Sequence, residues 1–338
     1  EGVFSYSGLE NYAPGKRFGF FPAIAVGWLL NKESFLEQAK WINYLKLRAS
    51  AGSVGNDKGA PRFNYNQYWG VASSQGYYFG TGQSWTNGLV QLAMANPDIT
   101  WERSTIYNLG IDAALLGNRL SITADVFKEY RKDILVDLSA TTSALAGYTS
   151  GKMANLAKVN NAGAELSATY RKDGKAVNYY FGGQFSYAHN TIKESWEAPK
   201  KEAYSYRQGH ATGQYFGLEA IGYFKDESDI LSSPYQTFSI VKPGDLKYKD
   251  QNNDGIIDVA DQVAIGKQGY PEINYGLQAG VSYKGIYLDV FFQGVANKSV
   301  YLNGYLFQPF INNANLLDWA VNGHWTPQTS ASATFPRL

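Results

Sequence analysis

The sequence predicts an all-β chain, an antiparallel transmembrane β-barrel contributing about eight strands. Three observations point there. Apolar and polar residues alternate with period two along separate stretches, and only one face of each stretch is apolar. The connections between stretches alternate between short and long, as periplasmic turns and outside loops do in outer-membrane barrels. Tyr and Trp gather near the strand ends, where a membrane barrel keeps its aromatic girdles. A soluble sandwich or propeller also alternates, but it does not require every second connection to be long.

In chain order, Phe21 to Trp28 sets Ile24, Val26 and Trp28 against Ala23, Ala25 and Gly27. A short helical turn is expected over Asn31 to Ala39, with Ser34 as its cap. Leu45, Leu47, Ala49 and Ala51 then alternate with Lys46, Arg48, Ser50 and Gly52. Residues 55–102 are polar and aromatic without a sustained period and read as a long loop. Tyr107 to Leu115, a Gly117-Asn118 turn and Leu120 to Val126 read as a hairpin. Leu166 to Arg171, the turn Lys172-Asp173-Gly174-Lys175 and Tyr179 to Tyr187 read as another. The longest connection, residues 190–273, precedes a last pair, Tyr275 to Tyr283 and Ile286 to Phe292, joined by Lys284-Gly285.

Composition narrows the class. Charged residues make up 17% of the 338, below the roughly 25% of a typical soluble domain. The net charge of +1 gives no basis for nucleic-acid binding. With no cysteine, disulfide scaffolds, thiol catalysis and Cys-based zinc are excluded. No apolar run approaches the ~18 residues of a transmembrane helix. The opening Glu1-Gly-Val-Phe-Ser-Tyr reads like the end of a strand, so the expectation is an internal piece of a longer protein.

A set of short runs gives a sharper indication. They include Arg17-Phe-Gly-Phe-Phe-Pro22, Ala25-Val-Gly-Trp28, Trp41 to Ser50 with Gly55-Asn56, and Asn96-Pro97 followed by Thr100-Trp-Glu102. Further along come Asn108-Leu-Gly-Ile-Asp112, Asn161-Ala-Gly-Ala-Glu165, Gly244 to Asp250, Ile265-Gly266 and Tyr283-Lys-Gly285. In this order the set resembles the C-terminal barrel of SusC/RagA-type TonB-dependent outer-membrane transporters of Bacteroidetes. The resemblance implies a plugged barrel of roughly 22 strands in the outer membrane, in contact with its lipid. It also implies energy from the TonB complex through a plug domain, a SusD-like surface lipoprotein as a lid, and glycan or peptide cargo. Residues 1–338 are then expected to be a fragment of the barrel domain, without the plug, ending inside an outside loop. So few strands do not close such a barrel, and an open sheet edge in lipid is costly.

Catalytic chemistry finds little support. His189, His210 and His324 lack zinc spacing, and neither a Gly-x-Ser-x-Gly elbow nor a P-loop is present. Glu102, Glu165 and Asp289 read as solvated lumen residues, and no enzyme activity is expected. Asp250 to Asp261 has the spacing D-x-N-x-D-G-x-I-D-x-x-D of a twelve-residue calcium loop. Its ligands would be Asp250, Asn252, Asp254, the Ile256 carbonyl, Asp258 and Asp261, with Gly255 at the sharp turn. The other reading is a polar turn without metal. A structural calcium would staple a long outside excursion. Tyr77, Tyr78 and Trp85 are candidates for stacking on sugar rings, unless they pack the loop or meet the lid. The leading expectation is energised import. The alternatives are a secreted, calcium-stabilised glycan-binding or adhesive β-protein and, more weakly, a glycan-degrading propeller.

Overall fold

In the computed structural model of the chain, all residues are described except 93, 144–150, 305, 306 and 314. Two compact units result, one of Glu1–Ala198, Gln208–Ala211 and Glu272–Ala296, the other of Pro199–Arg207, Thr212–Pro271 and Asn297–Leu338.

The first unit is organised by a nine-stranded antiparallel sheet. Its strands are β1 (Gly2–Gly8), β2 (Phe18–Leu29), β3 (Ile42–Asn56), β4 (Glu102–Leu115), β5 (Leu120–Asp137), β6 (Met153–Lys172), β7 (Val177–Glu194), β8 (Ile273–Tyr283) and β9 (Ile286–Ala296). Each strand pairs with the one before it, so the sheet is an up-and-down meander. It is an open sheet, a segment of barrel wall. The opening residues lie in a strand, and the sheet has nine strands against the expected eight or so. Strands β5 and β6, with 18 and 20 residues, exceed the ~10 needed to cross an outer membrane at a tilt.

Register fixes the faces. Ala51 lies opposite Tyr107, Leu109 opposite Val126, Ala124 opposite Leu166, and Leu166 opposite Phe185. With period two, the expected apolar residues therefore share one face across the sheet. That face stays open: Ile24 is 60% and Phe292 66% exposed. An apolar surface of this extent belongs against lipid. No helix among the described residues is long and apolar enough to cross a membrane.

The turns follow expectation. Lys284 and Gly285 both have positive φ, the two-residue arrangement that matches strand twist. Between β2 and β3 the expected helical turn is two 3₁₀ turns, Leu30–Lys32 and Ser34–Leu36. Ser34 is not the cap, because Glu33 occupies that position without a side-chain bond. Pairing of β2 with β3 stops at Ala23, beside Pro22, which has no N–H for a ladder.

Residues 55–102 are not simply a loop. Trp69–Phe79 and Ser84–Gln91 pair as a two-stranded ribbon. A register shift between Ala72 and Gly76 breaks the alternation and explains why no period shows in the sequence. Where this connection joins the sheet, Tyr12, Phe21, Ile99 and Trp101 form a buried cluster. Trp101 also donates its indole N–H to the Arg17 carbonyl at 3.0 Å. Burial, followed by the charges of Asp57 and Glu102, pushes the Tyr12 phenol up to about 12.

The second unit is built from short ladders. Tyr215–Gly217 pairs with Val263–Ile265, Ala220–Tyr223 with Leu246–Tyr248, and Tyr235–Gln236 with Ile256–Ile257. Phe224 and Ile257 are buried within it.

Candidate functional site

The polar face of the sheet carries the densest chemistry. Arg48 on β3 faces Gly110 on β4, and its Nε lies 2.6 Å from Asp112 Oδ2. Its Nη2 donates to Asp112 Oδ1 at 3.1 Å and reaches Asp125 Oδ2 on β5 at 2.9 Å. One guanidinium thus ties three strands, which its planar fork suits better than a lysine would. Gly110 leaves the room: a Cβ there would strike both the Asp125 carboxylate and the Arg48 guanidinium.

Nearer the long connections, Arg131 donates to Glu102, which also accepts from Asn56 Nδ2 at 3.1 Å. Ser104 Oγ donates to Glu129 at 2.6 Å, and Asn161 reaches the same carboxylate at 3.3 Å. Glu102 is only 7% exposed, so it is a paired, buried group and not the solvated residue expected. Asp289 is also engaged, accepting from Tyr180 Oη at 2.8 Å.

Further along this face, a cavity of about 750 Å³ is lined by Asp125, Glu165, Ser167, Gln184, Asn274 and Gln293, among others. Hydroxyl, amide and carboxylate groups from five strands converge there. They can hydrogen-bond a polar ligand, but no nucleophile paired with a base is among them. The sequence placed these residues on one polar face without identifying which would meet. Strand register, which juxtaposes residues many positions apart, was the missing information.

The three aromatic candidates separate. Tyr78 lies opposite Trp85 across the ribbon, their rings 4.9 Å apart edge to face. Tyr77 is on the other side, 5.3 Å from Phe79. Trp85 Nε1 donates to Asn87 Oδ1 at 2.8 Å and to the Ser73 carbonyl at 3.2 Å, which holds its ring in place. Tyr77, Tyr78 and Phe79 are all more than half exposed. No charged residue occurs between Arg62 and Asp98, so the whole ribbon is neutral.

In the acidic loop, Gly255 has φ +83°, a conformation that suits glycine and confirms the sharp turn. Asp250 accepts from the Asn253 and Gly255 amides at 2.7 and 2.9 Å, and Asp254 accepts from Ile256 at 2.9 Å. Asn252 accepts from the Asp254 amide at 3.0 Å. Asp258 accepts from Ala260 at 2.6 Å. Asp261, fully buried, accepts from Gln251 at 2.8 Å and Asp258 at 2.9 Å, clasping the two ends of the loop. Ile256 lies in the two-residue parallel ladder with Tyr235–Gln236. Among the described residues, no group of three or more His, Cys, Asp or Glu is gathered to hold a metal.

Comparison with known proteins identifies this architecture. Residues 3–334 match the family model described as TonB dependent receptor-like, beta-barrel. TonB-dependent receptor P3 of Formosa agariphila is 27% identical over 98% of the chain and 33% of its own length. TonB-dependent receptor SusC of Bacteroides thetaiotaomicron is 23% identical over 91% of the chain and 30% of its own length. The chain thus spans about a third of the length of these curated relatives. In structure, the RagAB peptide importer in its open-open state superposes with a TM-score of 0.72 over 97% of the chain and 34% of its own, at 19% identity. With a lipid-facing apolar sheet, a polar inner face and a family match over nearly its whole length, the chain belongs to the TonB-dependent receptor-like β-barrel family of outer-membrane proteins.

Proposed function

We propose that this chain forms part of the wall of an energised importer that carries glycans, oligosaccharides or peptides across the outer membrane. A plug domain coupled to the TonB complex and a SusD-like surface lipoprotein would act with it, and no covalent chemistry is involved. The observation carrying this reading is the polar inner face, where side chains from five strands line one cavity. Its amides and hydroxyls suit the hydrogen-bonding groups of sugars and peptide backbones. Family membership favours import over the secreted β-protein and over a propeller. The test is uptake of labelled oligosaccharides and peptides by cells carrying the full-length protein or its Gln184→Leu/Asn274→Leu variant. Uptake should fall in the variant and vanish when the TonB complex is removed. Unchanged uptake without TonB would sink the reading.

The neutral ribbon is the proposed capture arm. Tyr78 with Trp85, and Tyr77 with Phe79, offer flat apolar surfaces beside Asn and Ser hydroxyl or amide groups. Trp85→Ala should weaken oligosaccharide binding roughly tenfold, by analogy with ring-stacking losses elsewhere. Calcium in the acidic loop completes the proposal. Each carboxylate oxygen that accepts one N–H keeps a second lone pair for an ion, and the spacing supports Asp250, Asn252, Asp254, Ile256, Asp258 and Asp261 as ligands. Calcium titration followed by protection of residues 250–261 from hydrogen exchange tests it. Equal protection with calcium and with chelator would remove the ion.

A further inference from the structure

We propose that the lipid-facing side of β4 and β5 binds the phosphate of an anionic membrane lipid, with an acyl chain in the adjoining groove. Across these two strands Tyr107 faces Lys128, Thr105 faces Tyr130 and Arg103 faces Lys132. With period two, all six share the face that carries Leu109 and Val126. The apolar band therefore ends in three cations at the end nearer the long connections. Lys128 Nζ lies 5.1 Å from the centre of the Tyr130 ring, whose neighbour Tyr107 is 6.2 Å away. The Arg103 guanidinium lies 5.8 Å from the Phe21 ring.

Like charges directly opposite one another destabilise a sheet, and Arg103 with Lys132 is such a pair. Among the described residues no carboxylate forms an ion pair with Arg103, Lys128 or Lys132. On the next strand pair, by contrast, Lys158 has Glu194 at 2.8 Å. The three-cation cluster thus calls for an anion from outside the chain, and at the edge of a lipid-facing band the available anions are lipid headgroups.

The groove supplies the second half of the site. Ala49 and Ala51 form its floor between Ile24, Val26, Leu109 and Val126, and it is an open groove of about 550 Å³. Lys128 lies at its end. A chain lying along the small residues would bring its headgroup to the cations, with Tyr107 and Tyr130 at the interface level, where such rings usually sit.

The test uses the full-length protein in detergent, incubated with diphosphorylated lipid A or with the same lipid stripped of phosphate. Retained lipid is counted by native mass spectrometry. The parent should retain the phosphorylated lipid, and Arg103→Gln/Lys128→Gln/Lys132→Gln should lose at least roughly tenfold, as three basic contacts at a charged surface imply. Heat-modifiable migration on gels checks that the variant is folded. Lys132→Gln alone, which removes only the like-charge pair, serves if the triple variant fails to fold, and should also reduce retention. Ala51→Trp fills the groove and should lower retention with every cation in place. Equal retention by parent and cation variants, or equal retention of lipid with and without phosphate, would overturn the proposal. So would displacement of the lipid by inorganic phosphate at matched concentration, since that would mark a site for the free ion.

Discussion

The two faces of the nine-stranded sheet are made from the same strands, yet they are held by different physics. On the lipid side Leu109, Val126, Leu166 and Phe185 stand in open contact with the membrane. They gain little from one another, because lipid is as apolar as they are. On the other side Arg48, Asp112, Asp125, Glu102 and Arg131 bind neighbouring strands by directed hydrogen bonds. The barrel wall is therefore tolerant of apolar exchange on one face and specific about partners on the other. Changes that reverse the polarity of either face should show the difference.

The largest effect is expected from Leu166→Arg, which puts a charge into lipid on the outer face of β6. It should cost about 2–4 kcal/mol of barrel stability, measured by reversible unfolding in lipid. Its neighbour Ser167, on the inner face, should accept Arg within about 0.5 kcal/mol. Comparable costs at both positions would mean the faces are misassigned.

An intermediate effect is expected from Arg48→Ala. It leaves Asp112 and Asp125 close together without their cation and should cost about 1–3 kcal/mol. Arg48→Lys should recover only part of that, because an ammonium does not span both carboxylates in the same plane.

The smallest effect lies outside the sheet. Asp229 is held below the ordinary carboxylate range by Lys247, whose Nζ lies 2.7 Å away, and by the Lys225 amide. A depressed carboxylate contributes stability above its unfolded value and loses it as pH falls through the folded one. Hydrogen exchange in residues 225–247 should therefore quicken only below about pH 4, while the sheet stays protected. Asp229→Asn should remove that pH dependence.

Much of the sheet was legible because period two is a local signal. Leu45 to Gly52 and Tyr275 to Tyr283 read correctly from residue type alone, and the Lys284-Gly285 turn is fixed by two adjacent residues. The ribbon at Trp69–Gln91 was missed because a bulge near Ala72 resets its phase. The ladders among residues 215–265 span only two to four residues, too few for any period to appear. The Arg48 cluster depends on register: Arg48 and Asp125 are 77 positions apart, and nothing local pairs them. The acidic loop is the reverse case. Its spacing was conspicuous in sequence, while its carboxylates are employed in tying down their own backbone.

A single sheet presents lipid on one side and a polar interior on the other. Spin labels placed singly along β6 from Ala162 to Tyr170, in the full-length protein reconstituted in lipid, test it most directly. Collision with oxygen, which concentrates in the membrane, should peak at Ala164, Leu166, Ala168 and Tyr170 and dip at Glu165, Ser167 and Thr169. A profile without alternation, or one shifted by a single residue, would contradict the account.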